Sequence, residues 1–210
     1  EKTRFTNDNI YWLTIGESFG LRMVHQDGSL TDVYPIVTKS LYKKHFEINS
    51  KYQTSIQEGT EEDHWFWESI SAPEQKTINI YLKDVVNIPL LPCKLYIEFR
   101  GVSHTPANPD HHTIVSLNDN QLLDVKWDGQ IKYKAGVDFQ QSILMEGKNV
   151  IMIDLPGDTD SIIDIILLNW IEIDYWRNFI AVANGNLFTF WGNETPGTYH
   201  YDCLLYTSPS

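Results

Sequence analysis

The sequence has little of the residue types on which several protein classes depend. Its 210 residues include only two cysteines, Cys93 and Cys203, too few for a disulfide framework or a four-cysteine zinc site. It also lacks a basic cluster, since 28 acidic residues outnumber 16 basic ones and the formal net charge is −12. Because nucleic-acid binding needs clustered cations, we do not expect nucleic acid as a partner.

Long apolar runs are absent as well. The most apolar stretch, residues 162–173, is interrupted by Asp164, Asn169 and Glu172, which makes it too short and too polar to span a bilayer. Membrane insertion is therefore not expected. The sequence begins at Glu1 without an initiator methionine or a signal-peptide pattern, and we interpret it as a processed or excised piece of a longer chain.

Period-two alternation of apolar and polar residues is abundant. It is clearest at residues 77–83, 94–100, 149–155 and 171–175, and it is typical of antiparallel sheets with one wet face. Short segments between turn signals predict further strands, at residues 10–15, 21–26, 42–48, 64–70, 113–118, 137–144 and 187–191. Hydrophobic residues make up 42% of the chain, enough for a sizeable core.

These features predict an all-β fold, a two-sheet antiparallel β-sandwich of the jelly-roll, galactose-binding-like kind. We expect one domain over residues 1–202, with a small N-terminal β subregion at 1–60 as an option. Residues 203–210 resemble translated adaptor sequence at the broken end of a metagenomic gene, and we predict that this tail is not part of the fold. An ordinary flexible terminus is the alternative.

Tryptophans are the first candidates for ligand binding. Trp65 and Trp67 are two residues apart, so on one strand they would share a face on which sugar rings could stack, and Trp127 is a further candidate. The competing interpretation places these rings in the core or at a domain interface. A glycan is thus one possible partner, and the strand pattern is compatible with a carbohydrate-binding module.

Metal binding has two candidate locations. Asp158 and Asp160 lie in an oxygen-rich turn suited to a structural calcium ion, as does the turn at residues 118–120, although such residues also stabilise turns by themselves. His111 and His112 are adjacent, with His104 nearby. Neighbours on a strand point to opposite faces, so packing is the better interpretation of this pair. No other cofactor is indicated.

Two arrangements of residues are candidates for catalysis. Glu172 and Asp174 share a strand face about 6.5–7 Å apart, between the separations typical of retaining and inverting glycosidases. On a wet strand face, lysine or arginine across the sheet would pair with them instead. Cys93 has no cationic neighbour except Lys94, so its thiol is interpreted as a small apolar group rather than a nucleophile.

Several motifs in order resemble the domain that precedes the catalytic domain of gingipain-like cysteine peptidases, including the type IX secretion sortase group. They are NIYWLTIG at 9–16, GLRM at 20–23, DHWFWE at 63–68, HH at 111–112, LN at 117–118, WDG at 127–129, EGKN at 146–149 and NWIEIDYWR at 169–177. In that family the catalytic histidine and cysteine belong to a following α/β domain, so the resemblance assigns no catalytic residue here.

The resemblance implies a function and a location. It implies a secreted or cell-surface protein in which this sandwich is a non-catalytic accessory domain that positions or shields a downstream peptidase domain in cis. The parent chain would then be a cysteine endopeptidase. A carbohydrate-binding jelly-roll module remains the alternative.

Overall fold

The alternating segments form two antiparallel sheets in a computed structural model that describes residues 33–54, 56, 63–182, 190, 192 and 195–206. These residues belong almost entirely to a compact unit spanning Tyr34–Ser210. In chain order the described strands are β1 (Ile36–Val37), β2 (Lys39–Glu47), β3 (Lys51–Tyr52), β4 (Trp65–Phe66), β5 (Glu68–Ser71), β6 (Glu74–Leu82), β7 (Pro92–Gly101), β8 (His111–Leu117), β9 (Asn120–Trp127), β10 (Lys132–Gln140), β11 (Gly147–Leu155), β12 (Ile165–Asn178), β13 (Ile180–Val182), β14 (His200–Tyr201) and β15 (Leu204–Tyr206).

The two main sheets make a β-sandwich. The five-stranded sheet has the order β10-β7-β12-β2, with β5 also paired with β12, and the four-stranded sheet has the order β6-β11-β8-β9. Every pairing within these two sheets is antiparallel. The predicted all-β, antiparallel sandwich of jelly-roll type is therefore confirmed.

The core lies between the sheets and follows the predicted alternation. Ile78, Ile80 and Leu82 of β6 are buried, and Leu95, Ile97 and Phe99 of β7 are fully buried. Each such side chain stabilises the fold by about 1.5–3 kcal/mol relative to an exposed position. The intervening polar residues of β7 face away from the core, so the five-stranded sheet presents a second, outer face to its surroundings.

Two predicted strands differ from the structure. The segment at 64–70 is split at Trp67, because β4 pairs with β3 whereas β5 pairs with β12, and the Trp67 N–H already donates to the Leu168 carbonyl. The strand predicted at 137–144 ends at Gln140 and continues as a 3-10 turn, Gln141–Ile143. Strand β9 was not predicted.

The remaining predictions fall at the margins of the described residues. Predicted strands at 10–15 and 21–26, and all of 187–191 except Phe190, lie outside those residues. Within the tail, β15 pairs in parallel with β13, which does not bear on whether residues 203–210 derive from adaptor sequence. In the described part of the chain, no helix is long and apolar enough to cross a membrane.

Candidate functional site

A polar network is buried at the end of the sandwich where β8 begins. His111 is fully buried, and its Nδ1 lies 2.6 Å from Asp164 Oδ1 and its Nε2 3.4 Å from Asp110 Oδ1. Asp110 accepts backbone N–H groups from Thr105 at 3.1 Å and Gly129 at 2.9 Å. Burial opposes ionisation of Asp110, but these donors and the neighbouring histidines hold its pKa below the ordinary value. We call these residues, Asp110, His111 and Asp164, the buried network.

Trp127 packs against this network. It is the cross-strand partner of His111, its ring lies 4.2 Å from the imidazole and stacks on Tyr133 at 4.9 Å, and it is only 5% exposed. A side chain on Gly101 would not fit beside it, since a Cβ there would lie 2.2 Å from the Gly129 carbonyl. The structure corrects the prediction that Trp127 offers an exposed platform for a sugar, because its ring faces the core.

Trp65 and Trp67 do not share an exposed face. Trp67 is 8% exposed and belongs to the main core, whereas Trp65 is 44% exposed, because the strand is interrupted between them. The ring of Trp65 lies 5.0 Å from that of Tyr52, which in turn stacks on His64 at 5.8 Å. The predicted two-tryptophan platform is thus reduced to Trp65 and Tyr52, and ligand binding there stays a prediction.

His112 points away from His111, as strand alternation requires. Its Nδ1 lies 2.5 Å from Asp158 Oδ1 and its Nε2 2.9 Å from Asp124 Oδ1. Ionised carboxylates accept hydrogen bonds, so this arrangement favours the imidazolium form, in which both ring nitrogens carry hydrogen. Burial opposes this charge, but the two carboxylates raise the pKa of His112, and His112 lowers the pKa of Asp158.

Metal binding is not supported by a cluster of side chains. Within the described ranges, no three His, Cys, Asp or Glu side chains converge in a metal-binding arrangement. Asp158 is engaged by His112, and the Asn118 amide is occupied by Asn149, Ile143 and Val150. Calcium at Asp158 and Asp160 therefore stays a prediction.

Glu172 and Asp174 lie on the outer face of the five-stranded sheet, where Lys43 of β2 pairs with both. Lys43 Nζ is 2.5 Å from Glu172 Oε1 and 3.6 Å from Asp174 Oδ1. Burial raises the pKa of Asp174. Burial also opposes ionisation of Glu172, but Lys43 and His45 together lower the pKa of that carboxyl. The hydrogen bond with Glu172 raises the pKa of Lys43. The arrangement is the cross-sheet ion pairing considered above.

Aromatic rings lie beside these carboxylates. The ring of Tyr96 lies close to Gly136, since a Cβ at Gly136 would come within 2.7 Å of it. Lys134 Nζ is 4.9 Å from the centre of the Trp170 ring and 5.1 Å from that of Tyr96, and His45 lies 5.5 Å from Trp170. We call this surface, formed by Lys43, His45, Tyr96, Lys134, Trp170, Glu172 and Asp174, the outer sheet face.

The Cys93 thiol is enclosed in the protein. The residue is 1% exposed, and Sγ donates to Gln141 Oε1 at 2.7 Å. Gln141 is itself held by the carbonyls of Val86 and Trp176. Burial raises the pKa of the thiol to about 12. Cys93 is therefore a thiol, not a thiolate, at neutral pH.

No family model and no curated protein matches the sequence. Among solved structures, the chain is similar to dimeric latent PorU from Porphyromonas gingivalis, with 11% identity and a TM-score of 0.55 over 74% of this chain. This chain spans only 14% of the length of that protein. At this identity the likeness shows a shared fold alone.

Two carbohydrate-binding modules also match. One is the CBM36-1 domain of a multidomain xylanase from the hindgut metagenome of Trinervitermes trinervoides, with 7% identity and a TM-score of 0.41 over 63% of this chain and 96% of that one. The other is a family 35 module from Clostridium thermocellum, with 13% identity and a TM-score of 0.35 over 65% and 98%. Their low TM-scores carry no argument about this chain.

Proposed function

We propose that this chain is a non-catalytic β-sandwich domain of a longer, secreted gingipain-like cysteine peptidase, where it positions or shields a peptidase domain in cis. The observation that carries this proposal is the state of Cys93. A nucleophilic cysteine needs an accessible thiolate, whereas burial raises the pKa of this thiol to about 12 and Gln141 accepts its hydrogen. Cys93 is therefore unsuited to act as a peptidase nucleophile, and in this proposal the nucleophile belongs to another domain.

Two further observations support the accessory role. Of the motifs that carry the family resemblance, DHWFWE at 63–68 runs through β4 to the first residue of β5, and NWIEIDYWR at 169–177 lies within β12. The same fold also occurs as a small part of a much longer protein, PorU. Both agree with a domain that works as one part of a larger chain.

A peptidase assay tests this proposal. The full chain should show no thiol-dependent cleavage of a broad peptide library, with a known cysteine peptidase as the positive control. Iodoacetamide should label Cys93 only in denaturant, because the folded protein hides the thiol. Cleavage that disappears in Cys93→Ser would overturn the proposal.

Carbohydrate binding is a second candidate, favoured by the exposed rings of Trp65 and Tyr52. Their ring centres are 5.0 Å apart and both side chains are nearly half exposed. Exposed aromatic rings contribute large contact areas to ligand binding. A glycan array with the full chain tests this candidate. The candidate fails if no glycan binds above the background set by the denatured chain.

A further inference from the structure

The register of the five-stranded sheet brings together groups that are far apart in the sequence. On the outer sheet face, Glu172 lies opposite both His45 and Tyr96, and Asp174 lies opposite both Lys43 and Lys94. Trp170 is the next outward residue of β12, diagonal to Tyr96. Two aromatic rings are thereby placed next to two carboxylates and several cations on one continuous surface.

The carboxylates retain capacity for further hydrogen bonds. Asp174 Oδ1 is buried, 3.6 Å from Lys43 Nζ, and closed to a ligand, but a carboxylate has a second oxygen and each oxygen can accept more than one donor. The side chains of Glu172 and Asp174 are 16% and 13% exposed, so the surrounding side chains hold them in place. A hydroxyl-bearing ligand could donate to the exposed parts of these two carboxylates while it contacts the rings.

The pattern of charge indicates a neutral ligand. Across the strands, one row of the face reads Lys43, Asp174, Lys94, Asp138, so cations and carboxylates alternate. An anionic ligand would lie against carboxylates and a cationic ligand against lysines, whichever way it was turned. Within this row two lysines balance two carboxylates, in contrast to the net charge of −12 for the whole chain.

We infer that the outer sheet face is a binding site for a neutral oligosaccharide, with sugar rings stacked on Trp170 and Tyr96 and sugar hydroxyls donating to Glu172 and Asp174. This inference rests on the carbohydrate-binding candidate above and assigns a site distinct from Trp65. Sugars present apolar C–H faces to aromatic rings and hydroxyls to charged groups, which matches the mixture found here.

Lys134 makes the inference more specific. Its ammonium lies about as close to the Trp170 ring as to the Tyr96 ring and therefore occupies the space that a stacked sugar would use. Lys134 is exposed, so displacement into water is inexpensive. Lys134→Met should then bind the sugar at least as tightly as the parent chain, whereas weaker binding would show that the ammonium holds the ligand and would overturn the stacking arrangement.

Titration of the full chain tests the site directly. The probes are neutral hexasaccharides of glucose, mannose and xylose, with hexagalacturonate as the anionic comparison, measured by calorimetry and tryptophan fluorescence. At least one neutral probe should bind saturably. Trp170→Ala should weaken that binding roughly tenfold, the size expected for loss of one stacking partner. Trp170→Phe should restore most of it, and Tyr81→Ala, at a 62% exposed ring on β6 of the other sheet, should leave it unchanged.

The outcomes separate the site from the function on which it rests. If Trp65→Ala abolishes binding and Trp170→Ala does not, the site is wrong and carbohydrate binding survives. If only hexagalacturonate binds, the inference that the ligand is neutral is wrong. If no probe binds at millimolar concentration, both the proposed site and the carbohydrate-binding function are wrong. The accessory-domain proposal is not affected by that result. Circular dichroism and thermal melting confirm that each variant is folded.

Discussion

The buried network and the outer sheet face use the same residue types in opposite environments. Asp110 and His111 are fully buried, and Asp110 binds backbone N–H groups of two separate connections. On the outer sheet face, Lys43 is 48% exposed and binds other side chains. Water can replace a partner lost from the outer sheet face, but not one lost from the buried network, where an unpaired polar group is costly.

The two regions also differ in what they connect. Asp110 joins the segment after β7 to the turn between β9 and β10, and Asp164 joins the segment before β12 to His111 of β8. These links reinforce connections that backbone hydrogen bonds also join, from Gly101 to the Ile131 carbonyl and from Val102 to the Ile165 carbonyl. Lys43 and Glu172 lie on strands that are already paired. We therefore expect the buried network to determine stability and the outer sheet face to be free for binding.

The largest effect is expected at Asp110. Asp110→Ala removes an ionised acceptor and leaves the N–H groups of Thr105 and Gly129 unpaired in a buried place, which should cost about 2–4 kcal/mol of unfolding free energy. Urea denaturation followed by fluorescence measures this. Asp138→Ala is the control, since that carboxylate is 75% exposed and its loss should cost less than about 0.5 kcal/mol. Equal losses in the two variants would remove the contrast between the regions.

Two glycines allow a matched comparison. In Gly101→Ala the new Cβ would meet the Gly129 carbonyl at 2.2 Å, a backbone atom that cannot move aside, so a loss of about 1–3 kcal/mol is expected. In Gly136→Ala the close contact of the Cβ is with the side chain of Tyr96, at 2.7 Å, and the Leu95 carbonyl stays at 3.6 Å, so a rotation of the Tyr96 side chain can relieve the clash. Thermal melting of both variants should show the larger decrease for Gly101→Ala; the reverse order would contradict the rigidity assigned to the buried network.

The sequence predicted the sheets better than the contacts between them. Alternation identified the inward residues of β6 and β7, and it predicted that a cation across the sheet would pair with Glu172 and Asp174. It could not identify that cation as Lys43, because the identity depends on strand register. Strand β9 was not predicted because the adjacent Leu122 and Leu123 interrupt its alternation of apolar and polar residues. A bulge also shifts the pairing of β9 with β8 at Val115/Ser116.

The site residues show the same limit. The neighbours His111 and His112 were correctly expected to face opposite ways, but Asp164 lies 53 residues from His111 in the sequence, and no local pattern links them. Trp67 was misplaced because its segment changes pairing partner there. The sequence did not predict that Tyr96 and Lys134 lie beside Trp170, because only the register of β7, β10 and β12 brings these three side chains together.

A smaller effect is expected from pH at His112, which lies between the two regions in exposure. Its pKa is raised above the ordinary value of 6.5 by Asp158 and Asp124. A raised folded-state pKa stabilises the protein fully below the unfolded value and loses that contribution as pH rises through the folded one. Unfolding midpoints should therefore fall as pH rises above about 6.5. His112→Gln should flatten this dependence, and a profile unchanged by the substitution would show that other groups cause it.

The smallest effect is expected at Lys43. Because its ammonium is half exposed, its pairs with Glu172 and Asp174 should contribute only about 0.2–1 kcal/mol, so Lys43→Met should shift the unfolding midpoint slightly. Added salt screens exposed charges, and the difference between Lys43→Met and the parent chain should shrink further in molar sodium chloride.

The loss in Asp110→Ala should persist under the same conditions, since two backbone N–H groups remain buried without an acceptor. A Lys43→Met loss that is large and insensitive to salt would mean that the outer sheet face is as rigidly built as the buried network, and the division between a stabilising region and a binding region would fail.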